Sequence, residues 1–228
     1  MKIPLSGRLL ACCDFVKPGD RVADIGCDHG YLGIYLLTKG IARSIIASDI
    51  NEAPLKSALR NSEKFGVRDK MTFYLSNGVR NIPRDFDALV CAGMGGDTMV
   101  SILSAAPWLE KDTYRLILQC QSKTPLLRQY LSENGWRIDR EVIVRDGKFL
   151  YTVMQVLRGD TSLTPGQCYV PPALKGNTES DLQAYYNWAI KGLENIVCNR
   201  GELADPFATQ ALEELNKLSL EEFYDNRN

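Results

Sequence analysis

Asp24, Gly26, Asp28 and Gly30 alternate through the stretch VADIGCDHGYLG (22–33), and His29, the single histidine of the chain, sits between the last two. An apolar run that breaks into glycines and then resumes reads as a buried strand, a tight turn and a helix. Gly26 lets the turn close and lets a ligand approach the backbone. A turn of this kind can seat a dinucleotide, whose pyrophosphate rests on the helix N-terminus. Here Asp28 stands where the dinucleotide fingerprint carries a glycine, and a carboxylate repels a phosphate. Carboxylates suit a ligand that presents an ammonium or a sulfonium instead. Asp49 follows Asp24 by 25 residues, at the end of the next apolar run, where a carboxylate can accept both hydroxyls of a ribose. Each aspartate also has a structural reading: Asp24 as a buried turn stabiliser, Asp49 as the N-cap of a helix over NEAPLKSAL.

A nucleoside that carries a sulfonium and an ammonium but no phosphate is S-adenosylmethionine, and two further stretches fit it. SNGVRN (76–81) closes a third apolar run, where Asn77 can pair with an adenine amino group or simply turn the chain. CAGMGGDTM (91–99) sets three glycines around Met94, between a buried run and a helix. Small residues there admit a flat base close to backbone amides, where a methyl group would pass to it; the plainer reading is a glycine-packed helix start. His29 reads equally as a proton shuttle or a turn residue. The seven cysteines (12, 13, 27, 91, 120, 168 and 198) form no C-x-x-C pair, and one histidine adds little, so no metal is expected.

The elements that must hold these residues alternate. Strand patterns at 21–26, 44–50, 71–76, 88–93 and 114–120 are separated by helical patterns near 30–39, 53–65, 96–105 and 124–134, which predicts a parallel sheet with crossover helices. WRIDREVIVRDGKFLYTVMQVLR (136–158) then predicts two antiparallel strands joined at Asp146-Gly147. Parallel βα units closed by a hairpin are the layout of class I methyltransferases rather than of the all-parallel dinucleotide fold. The expected fold class is therefore α/β, a Rossmann-like S-adenosylmethionine-dependent methyltransferase domain over residues 1–158 with a C-terminal α-helical hairpin. Residues 159–177, rich in Gly and Pro, read as a linker, and 178–228 as the hairpin. Its first helix carries apolar residues at 182, 185, 186, 189, 190, 193, 196 and 197, its turn lies around Gly201, and Phe207, Leu212, Leu215 and Leu218 share one face of the second. Tyr185, Tyr186 and Trp188 read as hairpin core in preference to a base-stacking platform.

Composition bounds the partners. An apolar content of 45% and a charged content of 24% are those of a soluble globular protein. No run reaches the roughly 18 apolar residues of a membrane helix, and Arg8 and Asp14 interrupt the N-terminal apolar run, unlike a signal peptide. The expected location is the cytoplasm, with no membrane partner. Net charge is −1, but residues 1–157 hold 21 Lys and Arg against 17 Asp and Glu, whereas 158–228 hold 6 against 11. A polyanion would meet the first part. The oligomeric state stays open, with a monomer as the default.

The chain resembles the bacterial tRNA (adenine-22-N1)-methyltransferases, the TrmK family. LSGRL near the start, ADIGCDHGYL, the AGMGG loop, LILQ at the fifth strand, the closing hairpin and the helical hairpin match in order over essentially the whole chain. The resemblance implies S-adenosylmethionine as cofactor, tRNA as partner and N1 of a D-arm adenine as the methyl acceptor. It carries cofactor-binding roles to Asp24, Gly26, Cys27, Asp28, Asp49, Ile50, Asn77, Gly78, Ala92, Gly93, Met94 and Gly95. Catalytic roles fall to Asp28, His29 and Met94, and Arg8 is implied as a phosphate contact. Two positions depart from the pattern: Cys120 stands where a proline follows the glutamine, and Asn77 stands where the family carries an acid.

N1 of adenine holds an in-plane lone pair and no proton, so its attack on a methyl group needs no general base. Alignment and desolvation carry such a reaction, with Asp28 the expected polar partner and Tyr31 and Met94 the expected walls for the base. Arg8, Lys17, Arg80, Arg84 and Lys123 are the expected RNA contacts. Three rival readings are a methyltransferase acting on another RNA, a protein or a small molecule, a non-catalytic RNA-binding module with a relic pocket, and an NAD oxidoreductase, which Asp28 disfavours.

Overall fold

Strands β1 (Asp20–Ile25), β2 (Ala42–Asp49), β3 (Met71–Leu75), β4 (Ala88–Gly95) and β5 (Arg115–Ser122) run parallel in a computed structural model that describes residues 2–110, 114–174, 177–200 and 205–217. They are continuous apolar runs because helices cover both faces. Helices α1 (Gly7–Cys13), α2 (Tyr31–Thr38) and α3 (Glu52–Lys64) pack on one face, and α4 (Gly96–Ser104) and α5 (Thr124–Glu133) on the other. In α3, Leu55, Ala58 and Ser62 are the buried positions, so one stripe of the helix faces the sheet. Each strand and crossover helix predicted from sequence lies within two residues of the observed one. Helix α1 was not predicted; its Cys12 and Cys13 are buried in the core.

The strand order is β3-β2-β1-β4-β5, continued by β7 (Phe149–Arg158) and then β6 (Trp136–Asp146). The chain builds outward from β1 to β3, then returns to start β4 on the other side of β1. Loops leaving β1 and β4 therefore diverge and open a crevice at the carboxyl edge of the sheet. Strands β6 (Trp136–Asp146) and β7 (Phe149–Arg158) close the sheet as an antiparallel hairpin, with β7 against β5. Asp146 pairs with Phe149, so the two-residue turn is Gly147-Lys148, one residue beyond the predicted Asp146-Gly147. Gly147 occupies the left-handed position (φ 61°) that this turn requires.

The segment read as a linker is packed structure. Its helix α6 (Pro165–Tyr169) opens with a capping box between Thr164 and Gln167 and buries Cys168. The chain then lies along the edge strand β6, where the Glu141 amide donates to the Ala173 carbonyl (2.8 Å), which satisfies an edge that would otherwise be open. Helices α7 (Glu179–Arg200) and α8 (Pro206–Lys217) follow. Leu182, Tyr185, Tyr186, Ala189 and Leu193 of the predicted stripe are buried. On α8 the buried positions are Ala208, Ala211 and Leu215; of the predicted face Leu215 is buried and Leu212 packs partly buried beside it, whereas Phe207 is only half-buried and the two small residues take the centre of the contact. Gly201 and Leu218 lie outside the described residues.

Arg128 of α5 joins these parts. It and Glu141 are fully buried and form a two-point ion pair, Nε to Oε2 at 3.2 Å and Nη2 to Oε1 at 2.5 Å. Nη1 donates to the carbonyls of Cys168 (2.7 Å) and Tyr169 (3.0 Å), and Nη2 also donates to the Tyr185 hydroxyl (2.9 Å). A buried guanidinium is tolerated only when each donor is met, and here the acceptors come from β6, β7 (Thr152 Oγ1, 3.3 Å), α6 and α7. Replacing Arg128 by Ala should cost about 3–5 kcal/mol by stranding Glu141. The Arg128→Met/Glu141→Leu double variant should recover most of that loss, both read from urea denaturation midpoints.

Candidate active site

The carboxyl edge between β1 and β4 holds a cavity of about 460 Å³. Asp24, Gly26, Cys27, Asp28, His29, Asp49, Ile50, Asn77, Gly78, Ala92, Gly93 and Met94 all line it. Residues from four strand ends thus converge, because parallel strands deliver every following turn to the same edge. A side chain at position 26 would collide with the Met94 methyl group, so only glycine (φ 71°) lets the β4 loop lie against the β1 turn.

Backbone amides of the β1 turn are engaged within the protein. Those of Gly26 and Cys27 donate to the Ser48 carbonyl (2.8 and 2.9 Å), and that of Gly30 to Cys27 (2.7 Å). The Asp28 amide donates to Asp49 Oδ2 at 3.3 Å, and the Asn51 amide to Asp49 Oδ1 at 2.9 Å. Asp28 itself sits at φ 49°, a left-handed conformation that Asp tolerates better than most side chains. This turn therefore offers few free donors to an anion and faces the cavity with three carboxylates. Arg8 is the basic residue in the lining. Such a site fits a cationic, phosphate-free nucleoside and disfavours a pyrophosphate. Ile50, more than half exposed beside Asp49, adds an apolar surface for a base.

Asp24 is the buried member of the three. The Gly33 amide donates to it, yet its Oδ2 has no hydrogen-bond partner among the described residues. Burial, reinforced by the neighbouring Asp49 charge, pushes its carboxyl up to about 7. Burial also raises the thiols of Cys27 and Cys91, so both stay protonated at neutral pH and neither supplies a thiolate. His29 and Asp28 lie at the rim, with Nε2 to Oδ1 at 3.7 Å, and the Asn61 side chain holds the His29 carbonyl at 3.0 Å.

Several predicted residues fall elsewhere. Gly95 caps α4 behind the cavity instead of lining it. Lys17 precedes β1, and its amide donates to Asp20 at the amino edge of the sheet. Arg84 precedes β4, stacked over the Trp108 ring with its carbonyl bound by Tyr114. Both lie at the edge opposite the cavity, since whatever precedes a parallel strand sits at its amino end. Arg80 is exposed after β3, outside the lining. Lys123 pairs with Asp97 (2.6 Å) over a second groove between α5 and α7, into which Trp188 is exposed. Arg8 does reach the cavity; its Nη1 donates to Asp146 (3.2 Å) and its guanidinium covers the Tyr151 ring.

Thr98, Ile102 and Gln121 also line the cavity, and sequence reasoning did not single them out. Gln119 stands behind them, fully buried, with Oε1 accepting from the Gly93 amide at 3.0 Å. The available signal was two glutamines two residues apart at the end of an apolar strand, hence on one face. Cys120 points to the opposite face, against the α4/α5 core. Among the described residues no group of His, Cys, Asp and Glu is placed to hold a metal, and no helix is long and apolar enough to cross a membrane.

The raised Asp24 carboxyl has a pH consequence. The folded state holds its proton up to about pH 7 and the unfolded chain releases it near 4, so between those values the group's contribution to stability falls as pH rises, by about 1.4 kcal/mol per unit. Asp24→Asn should therefore gain stability relative to wild type from pH 5 to pH 8, measured by urea denaturation at each pH.

A family profile described as a methyltransferase domain matches residues 5–154. The tRNA (adenine(22)-N(1))-methyltransferase of Bacillus subtilis is 32% identical over 160 residues, covering 70% of this chain and 67% of that protein. A Mycoplasma genitalium relative is 35% identical over 140 residues, 59% of this chain, and the match spans 61% of that relative's length. A Streptococcus pneumoniae protein solved in complex with S-adenosyl-L-methionine superimposes with a TM-score of 0.80 at 25% identity, over 93% of this chain and 98% of that one. With its seven-stranded sheet closed by a hairpin and its carboxylate-lined crevice, the chain belongs to the methyltransferase-domain family and, within it, to the tRNA (adenine-22-N1)-methyltransferase (TrmK) family.

Proposed function

We propose that the protein transfers a methyl group from S-adenosylmethionine to N1 of adenine 22 in the D-arm of tRNA. The observation that carries this reading is the crevice itself: three carboxylates converge where the turn's amides are already engaged, which suits a cationic nucleoside. The Bacillus subtilis relative, a tRNA (adenine(22)-N(1))-methyltransferase, supports the acceptor. A tRNA substrate is in keeping with a cytoplasmic location.

When bound, S-adenosylmethionine supplies an electrophilic methyl carbon on a sulfonium. The chain's own residues bind, orient and exclude water. Asp49, at the end of β2, accepts from the ribose hydroxyls, and Asp24 balances the ligand's positive charge from below. Ile50 and Gly78 flank the adenine, and Asn77 meets its amino group. Met94 and Gly93 form the floor over which the acceptor base slides, and Met94 rests on Gly26, so the floor cannot sink. N1 would take the methyl group on its in-plane lone pair as the carbon–sulfur bonding electrons leave on sulfur, and the methylated base would be cationic. Asp28 at the mouth stabilises that charge and accepts from the base's amino group. His29 holds Asp28 at the rim and Tyr31 walls the base.

N1 lies on the Watson–Crick edge, so the base must leave its stack, at a cost of a few kcal/mol. Arg8, at the cavity, contacts phosphate, and Arg80 and Lys123, on the same edge of the sheet, extend the basic path.

Labelled S-adenosylmethionine and unmodified tRNA transcripts should give methyl transfer, and reverse transcription should stop at adenine 22. Asp28→Ala should lower kcat by about 100-fold or more while tRNA retention in a filter assay stays unchanged. Retention by wild type with no transfer to any tRNA would favour a binding module.

A further inference from the structure

Gln121 occupies the last turn-facing position of β5, on the same face as Gln119. The two glutamines divide the work. Gln119 is buried and spent: its Oε1 holds the Gly93 amide, and its Nε2 donates to the Cys120 carbonyl at 3.0 Å. Gln121 is exposed to the cavity, and its carboxamide makes no hydrogen bond among the described residues. Its Nε2 stands 3.8 Å from the point that a side chain on Gly93 would occupy, so the amide lies directly over the floor glycine.

We propose that Gln121 reads the acceptor base as adenine, its carbonyl accepting from the N6 amino group while its amide donates to N7. This rests on the function proposed above. The ends of β1, β2 and β3 supply the carboxylates and the amide for the nucleoside of the methyl donor, so the acceptor comes in over the ends of β4 and β5. With N1 directed at the floor of Gly93 and Met94, N6 lies beside it and N7 follows on the adjoining edge. A carboxamide matches that donor–acceptor pair in two-point fashion. Guanine presents two acceptors on the same edge and a proton on N1, and pyrimidines lack N7. The buried Gln119 fixes the Gly93 end of the loop beneath the second amide. Gln121 thus acts on substrate choice, separately from the carboxylates that hold the methyl donor.

The test is a cycle between one side chain and one ring atom. A tRNA carrying 7-deazaadenosine at position 22, assembled by ligation, removes N7 and nothing else from the edge. Wild type should lose about tenfold in kcat/KM on this substrate. Gln121→Ala should lose a similar factor on normal tRNA and nothing further on the 7-deaza tRNA. Gln121→Glu keeps the acceptor for N6 but sets a carboxylate against the N7 lone pair, and should methylate the 7-deaza tRNA at least as well as normal tRNA. Any effect of the missing nitrogen on N1 itself acts on all three proteins alike and cancels in the ratio. A 7-deaza penalty as large in Gln121→Ala as in wild type overturns the proposal. Failure of wild type to methylate normal tRNA would instead remove the functional reading beneath it.

Discussion

The Met94 methyl group lies in the space that any side chain on Gly26 would need, and the two loops of the crevice are locked by that exclusion. Parallel pairing of Val22–Ile25 with Ala88–Cys91 brings both strand ends to one edge, and their opposed crossovers leave the gap between them. The glycine then decides how close the loops come. Gly96 repeats the device one turn later, where a side chain would meet the Lys123 carbonyl and push α4 away from the start of α5. The cavity is therefore shaped by missing atoms as much as by present ones.

Electrostatics follow from the same contacts. The turn consumes its own amides on Ser48, Cys27 and Asp49, which removes the anion-binding capacity that a strand–turn–helix unit usually offers. What remains facing the crevice is carboxylate. One of these, Asp24, has its carboxyl pushed up to about 7 by burial. A cationic ligand favours its ionised form, so ligand charge and site charge are coupled through a group that no solvent reaches directly.

Arg128 extends the order outward. Its guanidinium gathers a carboxylate from β6, two carbonyls from α6 and a phenol from α7, all at the far side of α5 from the cavity. Helix α5 begins at Thr124, capped by Lys123, and follows directly from the β5 end that carries Gln121. The helical pair is thus docked on the element that sets one wall of the crevice.

Sequence by itself determined a great deal here. Apolar periodicity placed the parallel strands and crossover helices, because covered parallel strands must be continuous apolar runs. Asp24, Gly26, Asp28, Asp49 and Met94 were legible as a cluster, since a strand end followed by glycine marks the functional edge of this architecture. The resemblance to the TrmK family rested on the same residues. Only tertiary structure decided which charges share that edge: Lys17 and Arg84 look as near to the motifs in sequence as Arg8 does, yet they precede strands and lie at the amino end. Only packing placed Gln119 under the Gly93 amide and Gln121 in the cavity lining, because a glutamine on a strand carries no local signal of what it faces. The 159–177 segment read as a linker from its Gly and Pro content, but the packing of its described residues 159–174 comes from Arg128 and the edge of β6, partners distant in sequence whose hydrogen-bonding demands no local pattern records.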